Sequence, residues 1–176
     1  MEFYTPEIYI TEDEIAARVL QLADEIVRDY ANQEIVLLCV LKGAHVFCAD
    51  LMRKINLPVR LEFVSMSSYG DATQSAGAVK MDMDITGPVE NSHVIIVEDI
   101  IDSGLTLKTL KELLKLRNPK SIKLASLLYK PSRLKYEIDI DYLAFEIDDK
   151  FVVGYGLDYA GRYRELPYIG FLNAGH

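Results

Sequence analysis

The sequence predicts an α/β domain built on a central, mainly parallel sheet flanked by helices, and three features carry that prediction. Continuous apolar runs of strand length, Ile35 to Leu41 and His93 to Val97, read as strands covered on both faces, as the strands of a parallel sheet are. Segments with apolar residues at spacings of three and four alternate with those runs, the order that lays helices over such a sheet. The connections between the two kinds of segment are short and carry the glycine, proline and asparagine of turns.

Taken in order, Thr11-Glu12-Asp13-Glu14 is a capping-box pattern in which the Thr11 hydroxyl accepts from the amide three residues on and Glu14 reaches back. Ile15, Val19, Leu22, Ile26 and Tyr30 then form one apolar stripe that ends near Asn32. Ile35 to Leu41 is a strand that Lys42-Gly43 terminates, and Ala44 to Ile55 suits a helix. Val59 to Val64 alternates as a strand, while Ser67 to Gly77, polar and small, is expected to be a long mobile loop of the kind that serves function. After the Gly87-Pro88 turn come a strand at His93 to Val97, a helix from Leu105 to Leu116 that Asn118-Pro119 stops, and a strand at Ser121 to Tyr129. Tyr142 to Ile147 and Phe151 to Val153 are shorter strand candidates. No repeat, low-complexity tract or linker divides the chain, so a single domain over 1–176 is expected, with a core at about 11–150. The N-terminal segment and about 151–176 would form a small hood over it.

Composition narrows the function. At 176 residues, 50% hydrophobic and 26% charged, the chain can bury one substantial core. Its apolar runs are too short to cross a bilayer, so no membrane partner is expected. The N-terminus has neither the basic start nor the apolar stretch of a signal peptide, which makes the cytoplasm the expected location. Cys39 and Cys48 lack metal-binding or redox spacing and read as buried thiols. A formal charge of −8 argues against nucleic acid as a partner, because binding its backbone needs clustered Lys and Arg. Any phosphate must therefore be held locally, by backbone amides, a few placed cations and a divalent metal.

The stretch that carries the chemistry is Val94-Ile95-Ile96-Val97-Glu98-Asp99-Ile100-Ile101-Asp102-Ser103-Gly104-Leu105-Thr106. An apolar strand runs into acids and then into a small-residue turn that opens a helix. The carboxyl end of a parallel strand is where open α/β sheets bind ligands. Asp102 to Thr106 offers backbone amides and two hydroxyls at a helix N-terminus, suited to a phosphate monoester. Glu98-Asp99 offers carboxylates for ribose hydroxyls or a hydrated magnesium ion. Acids before a helix can also serve only as caps, but capping alone leaves three acids and a Ser-Gly-x-Thr turn directly after a buried strand without a cause.

This segment resembles the phosphoribosyl pyrophosphate signature of the type I phosphoribosyltransferases, and an acid at Asp102 resembles the hypoxanthine/guanine branch. Leu41-Lys42-Gly43 is similar to the family's pyrophosphate loop, Ser68-Tyr69-Gly70 to its closing catalytic loop, and Lys130-Pro131-Ser132-Arg133 to its base-recognition segment. Phe151 to Tyr159 is similar to the purine-pocket hood, followed by Arg164. The likeness runs from about Glu2 to Phe171. Leu105, where many relatives carry Lys or Asn, and the loop Asp71-Ala72-Thr73-Gln74-Ser75 are the departures.

The resemblance implies the type I phosphoribosyltransferase fold and transfer of the phosphoribosyl group to N9 of hypoxanthine or guanine, giving IMP or GMP and pyrophosphate. It implies a magnesium cofactor held by Glu98, Asp99 and Asp158, and a homodimer or homotetramer. Leu41, Lys42, Gly43, Glu98, Asp99, Asp102, Ser103, Gly104, Leu105, Thr106 and Arg164 would bind phosphoribosyl pyrophosphate, with a cis Leu41-Lys42 peptide. Asp102 would face the purine N7 as base, and Ser68 and Tyr69 would close over the site. Lys130, Phe151, Val152 and Asp158 would bind the purine: Lys130 donates to the C6 oxygen, Phe151 stacks, and the Val152 carbonyl accepts from the N1 side. For Arg164 the plain alternative is a surface salt bridge to Glu165. Rival readings are a xanthine-preferring enzyme of the same type and a non-catalytic, RNA-binding nucleotide sensor of the same fold.

Overall fold

The computed structural model describes residues 5–69 and 78–172. In chain order its elements are β1 (Glu7–Ile10), α1 (Glu12–Asp29), β2 (Ile35–Leu41), α2 (His45–Lys54), β3 (Val59–Tyr69), β4 (Ala78–Met83), β5 (His93–Ile101), α3 (Leu105–Lys115), β6 (Ser121–Tyr129), a short 3-10 turn (Pro131–Arg133), β7 (Tyr142–Glu146), β8 (Val152–Val153) and β9 (Ile169–Phe171). Six strands form the main sheet in the order β4-β3-β2-β5-β6-β7. Every pairing in it is parallel except the hairpin of β3 with β4. The hood is an antiparallel sheet of order β1-β9-β8, drawn from both ends of the chain.

The continuous apolar run of β2 is explained by what covers it. Successive side chains of a strand point to opposite faces. Ile35, Leu37 and Cys39 enter a cluster with Leu22 and Ile26 of α1 and Phe47 and Leu51 of α2. Val36, Leu38 and Val40 enter a second cluster with Leu107, Leu110 and Leu114 of α3. The first cluster also takes in Ile10, Val152 and Ile169, so hood and sheet share one apolar core. Cys39 and Cys48 are buried free thiols, and the hydrogen bond between them, with burial, pushes the Cys39 thiol far up, which makes it inert.

Helix α1 starts where its capping box predicts. The Thr11 hydroxyl accepts from Glu14 N at 3.3 Å, and the Glu14 carboxylate accepts from Thr11 N at 2.8 Å. Its stripe of Ile15, Val19, Leu22 and Ile26 is buried, and Arg18 donates to the carbonyls of Leu143 at 2.6 Å and Ala144 at 3.3 Å, tying the helix to the edge strand β7.

Two expectations are corrected. The segment from Ser67 is not loop from its first residue: Ser67 to Tyr69 belongs to β3 and pairs with Lys80, Val79 and Ala78 of β4, so only 70–77 lies outside the described residues. A polar strand end that pairs only with β4 carries no apolar alternation by which to find it. Glu98 and Asp99 do not follow β5 but lie within it, because β6 keeps pairing alongside, Ile100 opposite Leu128 and Ile101 opposite Tyr129. The hood strands β1 and β9 are short and exist only because the two chain ends meet. Among the described residues no helix is long and apolar enough to cross a membrane.

The α1 packing yields a ranked prediction. Thr11→Ala removes one cap and should cost about 1 kcal/mol, whereas Leu22→Ala opens a cavity in a fully buried stripe and should cost about 2–5 kcal/mol. Urea melts at constant slope would check it; equal losses for the two variants would contradict the assignment.

Candidate active site

The register of β2 with β5, Ile35 opposite His93 through Cys39 opposite Val97, brings the carboxyl ends of both strands to one side of the sheet. There a cleft of about 320 Å³ opens. Leu41, Lys42 and Gly43 line it from the loop after β2. Glu98, Asp99, Asp102, Ser103, Gly104 and Thr106 line it from β5 and the start of α3, and Asp158 and Arg164 from the hood. Eleven residues named from the sequence thus converge on one cleft; of the proposed phosphoribosyl pyrophosphate set, Leu105 alone stands outside its lining.

Backbone geometry explains the glycines. The Leu41-Lys42 peptide is cis. A Cβ on Gly43 would fall 1.5 Å from Asp99 Oδ2, and a Cβ on Gly156 would fall 2.1 Å from the Gly43 carbonyl oxygen. The loop is therefore sandwiched between the acid pair and the hood, with no room for a side chain at either contact. Gly104 sits at the N-cap of α3 with φ +83°, a left-handed conformation that glycine adopts without a Cβ penalty. Its carbonyl accepts from Lys108 N at 3.0 Å, and the Ser103 hydroxyl accepts from Leu105 N at 3.4 Å.

The acids are not equivalent. Glu98 is buried, and burial first, then the neighbouring Asp99 charge, holds its carboxyl well above the usual carboxylate range. Its Oε1 accepts from Asp99 N at 3.2 Å, and Asp99 Oδ1 accepts from Ile100 N at 2.9 Å. Asp158 is paired with Arg164, whose NH2 lies 2.6 Å from Asp158 Oδ1 and whose NH1 donates to the Gly156 carbonyl. Asp158 Oδ2 accepts from Gly161 N at 2.7 Å. Arg164 is thus an oriented fork over the cleft, and its partner is Asp158 rather than Glu165.

Glu98, Asp99 and Asp158, the metal set expected from the resemblance, all line this cleft. Among the described residues no three His, Cys, Asp or Glu side chains stand close enough together to hold an ion unaided. Glu98 is buried behind Asp99, and Asp158 is neutralised by Arg164. The acids of the lining offer carboxylate oxygens beside a phosphate-type turn, which fits a hard, hydrated dication that takes one or two carboxylates and completes its shell with water and substrate oxygens.

Of the base-binding residues, Lys130, Phe151 and Val152 lie outside the cleft lining. Lys130 is only 9% exposed, directly follows β6, and its Nζ lies 3.5 Å from Asp149 Oδ1. Phe151 is exposed, with Tyr159 edge-on at 5.6 Å between ring centroids. Val152 is buried in β8 opposite Phe171. Ser68 and Tyr69 end β3, and their side chains lie outside the described residues. Sequence reasoning missed Asp149, named Tyr159 only as part of the hood segment, and gave Arg133 no role of its own, although its Nε donates to Asp102 Oδ1 at 3.0 Å. Asp149 and Asp102 are far apart in sequence, and no periodicity announces their shared neighbour.

Glu98 generates a pH prediction. A carboxyl whose folded pKa is raised contributes stability that is complete below its unfolded pKa and lost as the pH climbs through the folded value. Glu98→Gln should therefore raise the melting temperature of the ligand-free protein at neutral pH and flatten the decline of stability above the ordinary carboxylate range. Thermal melts across that range check it, and a variant with a lower melting temperature and an unchanged pH slope would refute the assignment.

Comparison with known proteins shows the family. The family model described as phosphoribosyl transferase domain matches residues 8–160. A hypoxanthine-guanine phosphoribosyltransferase of Dictyostelium discoideum is 49% identical over 170 residues, covering 94% of each chain. The crystal structure of a hypoxanthine-guanine phosphoribosyltransferase from Bacillus anthracis superposes with a TM-score of 0.92 at 44% identity, covering 96% of this chain and 99% of that one. A hypoxanthine phosphoribosyl transferase of Trypanosoma cruzi, solved to examine how its C-terminal region bears on oligomeric state and enzymatic activity, superposes with a TM-score of 0.91 at 40% identity over 98% of this chain and 94% of that one. A model match over most of the chain, together with near-full-length identity of this size, has one meaning: this chain belongs to the phosphoribosyl transferase family.

Proposed function

We propose that this protein is a purine-salvage enzyme that transfers the 5-phosphoribosyl group of phosphoribosyl pyrophosphate to N9 of hypoxanthine, and of guanine, giving IMP or GMP and pyrophosphate. The observation that carries this reading is the convergence in one cleft of the Leu41–Gly43 loop, the turn from Asp102 to Thr106, and Arg164. Core and hood act as one unit in it, since Asp158 and Arg164 come from the hood and the remaining groups from the sheet. The relatives bear names with the same activity, and a homodimer or homotetramer is the assembly proposed with it.

Displacement of pyrophosphate from the anomeric carbon builds positive charge on the ribose and negative charge on the leaving group. The site must favour both over the ground state. The monoester phosphate is read as lying in the turn of Ser103, Gly104 and Thr106, at the N-terminus of α3, where amides and the helix dipole favour an anion. The diphosphate meets the backbone of Lys42 and Gly43 on one side and the Arg164 fork on the other. Asp99 is assigned to the ribose-hydroxyl side, with Glu98 behind it. Bound magnesium would neutralise the leaving group, with Asp99 and Asp158 as its candidate protein ligands. Asp102 takes or shares the N7 proton of the purine as N9 attacks. Lys130 donates to a C6 oxygen and would repel the amino group of adenine, while Phe151 offers a stacking face. Ser68 and Tyr69 are assigned to closure that keeps water from the ribose cation.

Pyrophosphate release in the presence of hypoxanthine, guanine, xanthine and adenine, with and without chelator, is the direct test. Turnover should require a divalent cation and should favour hypoxanthine or guanine; undiminished turnover in excess chelator would remove the metal. No release with any base, together with salt-dependent RNA binding, would overturn the enzyme reading. Asp102→Asn should leave substrate affinity nearly unchanged and lower turnover by about 10²–10⁴. Lys130→Gln exchanges three charged donors for an amide that both donates and accepts. Loss of a charge-assisted hydrogen bond costs about 1.5–3 kcal/mol, so hypoxanthine efficiency should fall by about ten- to a hundredfold while the hypoxanthine-to-adenine ratio narrows. A parallel loss for both bases would deny Lys130 the specificity role.

A further inference from the structure

We propose that Arg133 is the positioning residue of the purine side: it fixes the Asp102 carboxylate through Oδ1 and so presents Oδ2 to the base. The proposal rests on the reading of Asp102 as the group that takes the N7 proton.

Four observations fix Arg133 in that place. Its Nε donates to Asp102 Oδ1 at 3.0 Å, and among the described residues Oδ2 receives no hydrogen bond. Arg133 closes the 3-10 turn of Pro131–Arg133, its amide donating to the Lys130 carbonyl at 3.1 Å. The residues just beyond are stapled to the phosphate-type turn, because Lys135 N and Tyr136 N both donate to the Ser103 carbonyl at 3.1 Å. The other arm of the guanidinium points to Asp149, with NH1 3.8 Å from Oδ2. Asp149 Oδ1 in turn lies 3.5 Å from Lys130 Nζ. The result is a chain of alternating charge, Asp102, Arg133, Asp149, Lys130, that links the group facing N7 to the group facing the C6 oxygen.

Stability is a poor reason for this pair. The Arg133 and Asp102 side chains are 53% and 47% exposed, and exposed ion pairs contribute only about 0–1 kcal/mol. Orientation is a better one. A half-exposed carboxylate can rotate to offer either oxygen over a wide arc, and proton transfer needs one oxygen within hydrogen-bond reach of N7. With Oδ1 held by a donor whose own backbone is anchored on both flanks, Oδ2 is left a single narrow arc. The electron balance is unchanged by the device. The N9 lone pair forms the bond to the anomeric carbon, the bond to the pyrophosphate oxygen breaks with its pair going to pyrophosphate, and the N7 proton passes to or is shared with Oδ2. Arg133 stays protonated throughout, its guanidinium held still further toward the charged form by Asp102, so it orients the acceptor without competing for the proton.

The test is a double-mutant cycle. Arg133→Gln and Arg133→Lys are made in the wild-type and Asp102→Asn backgrounds, and steady-state kinetics are measured with hypoxanthine and phosphoribosyl pyrophosphate. Arg133→Gln should lower kcat on the order of tenfold in the wild type, the size of coupling usual for contacting groups, with KM for phosphoribosyl pyrophosphate within about twofold. In the Asp102→Asn background the same change should cost less than about twofold, because the carboxylate it orients is gone. Arg133→Lys keeps the charge but loses the planar fork and should recover only part of the loss. Equal losses in both backgrounds, an unchanged kcat, a rise in KM as the main effect, or full recovery by lysine would each overturn the proposal. An inactive wild type would instead sink the functional reading, and a fully active Asp102→Asn would remove the role of Asp102 and this proposal with it.

Discussion

The in-register parallel pairing of β2 with β5, dry on both faces, is the constraint on which the rest of this molecule rests. Because side chains from Val36 and Leu38 pack on α3 while those from Leu37 and Cys39 pack on α1 and α2, a slip by one residue would exchange the side chains fitted against the two helix layers and disrupt close packing on both faces. That fixed register delivers the Leu41–Gly43 loop and the Glu98–Asp99 pair to the same level of the same sheet end. The approach there is so close that a methyl group at Gly43 would overlap the Asp99 carboxylate, and the hood closes the other side through Gly156. Site geometry and core packing are thus one problem, solved by the same two strands.

A protein with a formal charge of −8 has no field that gathers anions, so it must handle phosphate by local arrangement. In the proposed function the cleft does so with oriented dipoles and the well-held cation of Arg164. Asp158 and the Gly156 carbonyl hold Arg164 with its planar head fixed over the cleft, which lowers the entropy lost when an oxyanion arrives. Glu98 is the counterweight: its ionised form is disfavoured by burial and by Asp99. An empty site built this way is destabilised in its charged form, and cationic or hydrogen-bonding partners relieve that cost. The side proposed for the purine has a second arrangement of the same kind, in which Asp149 stands between Arg133 and Lys130.

The hood shows how little secondary structure a site needs when its anchors are good. Two-, three- and four-residue strands from the chain ends make a sheet whose inner residues Ile10, Val152 and Ile169 join the main core. That small sheet carries Asp158 and Arg164 to the cleft and sets Phe151 and Tyr159 edge to face at its rim.

Much of this was legible in the sequence, for reasons that are local. The capping box at Thr11 and Glu14, the stripe from Ile15 to Tyr30, the run from Ile35 to Leu41 and the strand-to-turn-to-helix passage from Val94 to Thr106 each report on near neighbours in the chain, where periodicity and turn chemistry act. They determined the fold class, the main elements and most of the cleft. Tertiary structure alone decided that Glu98 and Asp99 lie within β5, because that depends on how far β6 keeps pairing. It alone paired Asp158 with Arg164, set Arg133 against Asp102, and fixed the register in which β1 meets β9 within the expected hood. Each of these is a contact between segments with no shared period, and a side chain's charge partner or a short strand's mate is fixed by where packing leaves the backbone, which no window of neighbouring residues encodes.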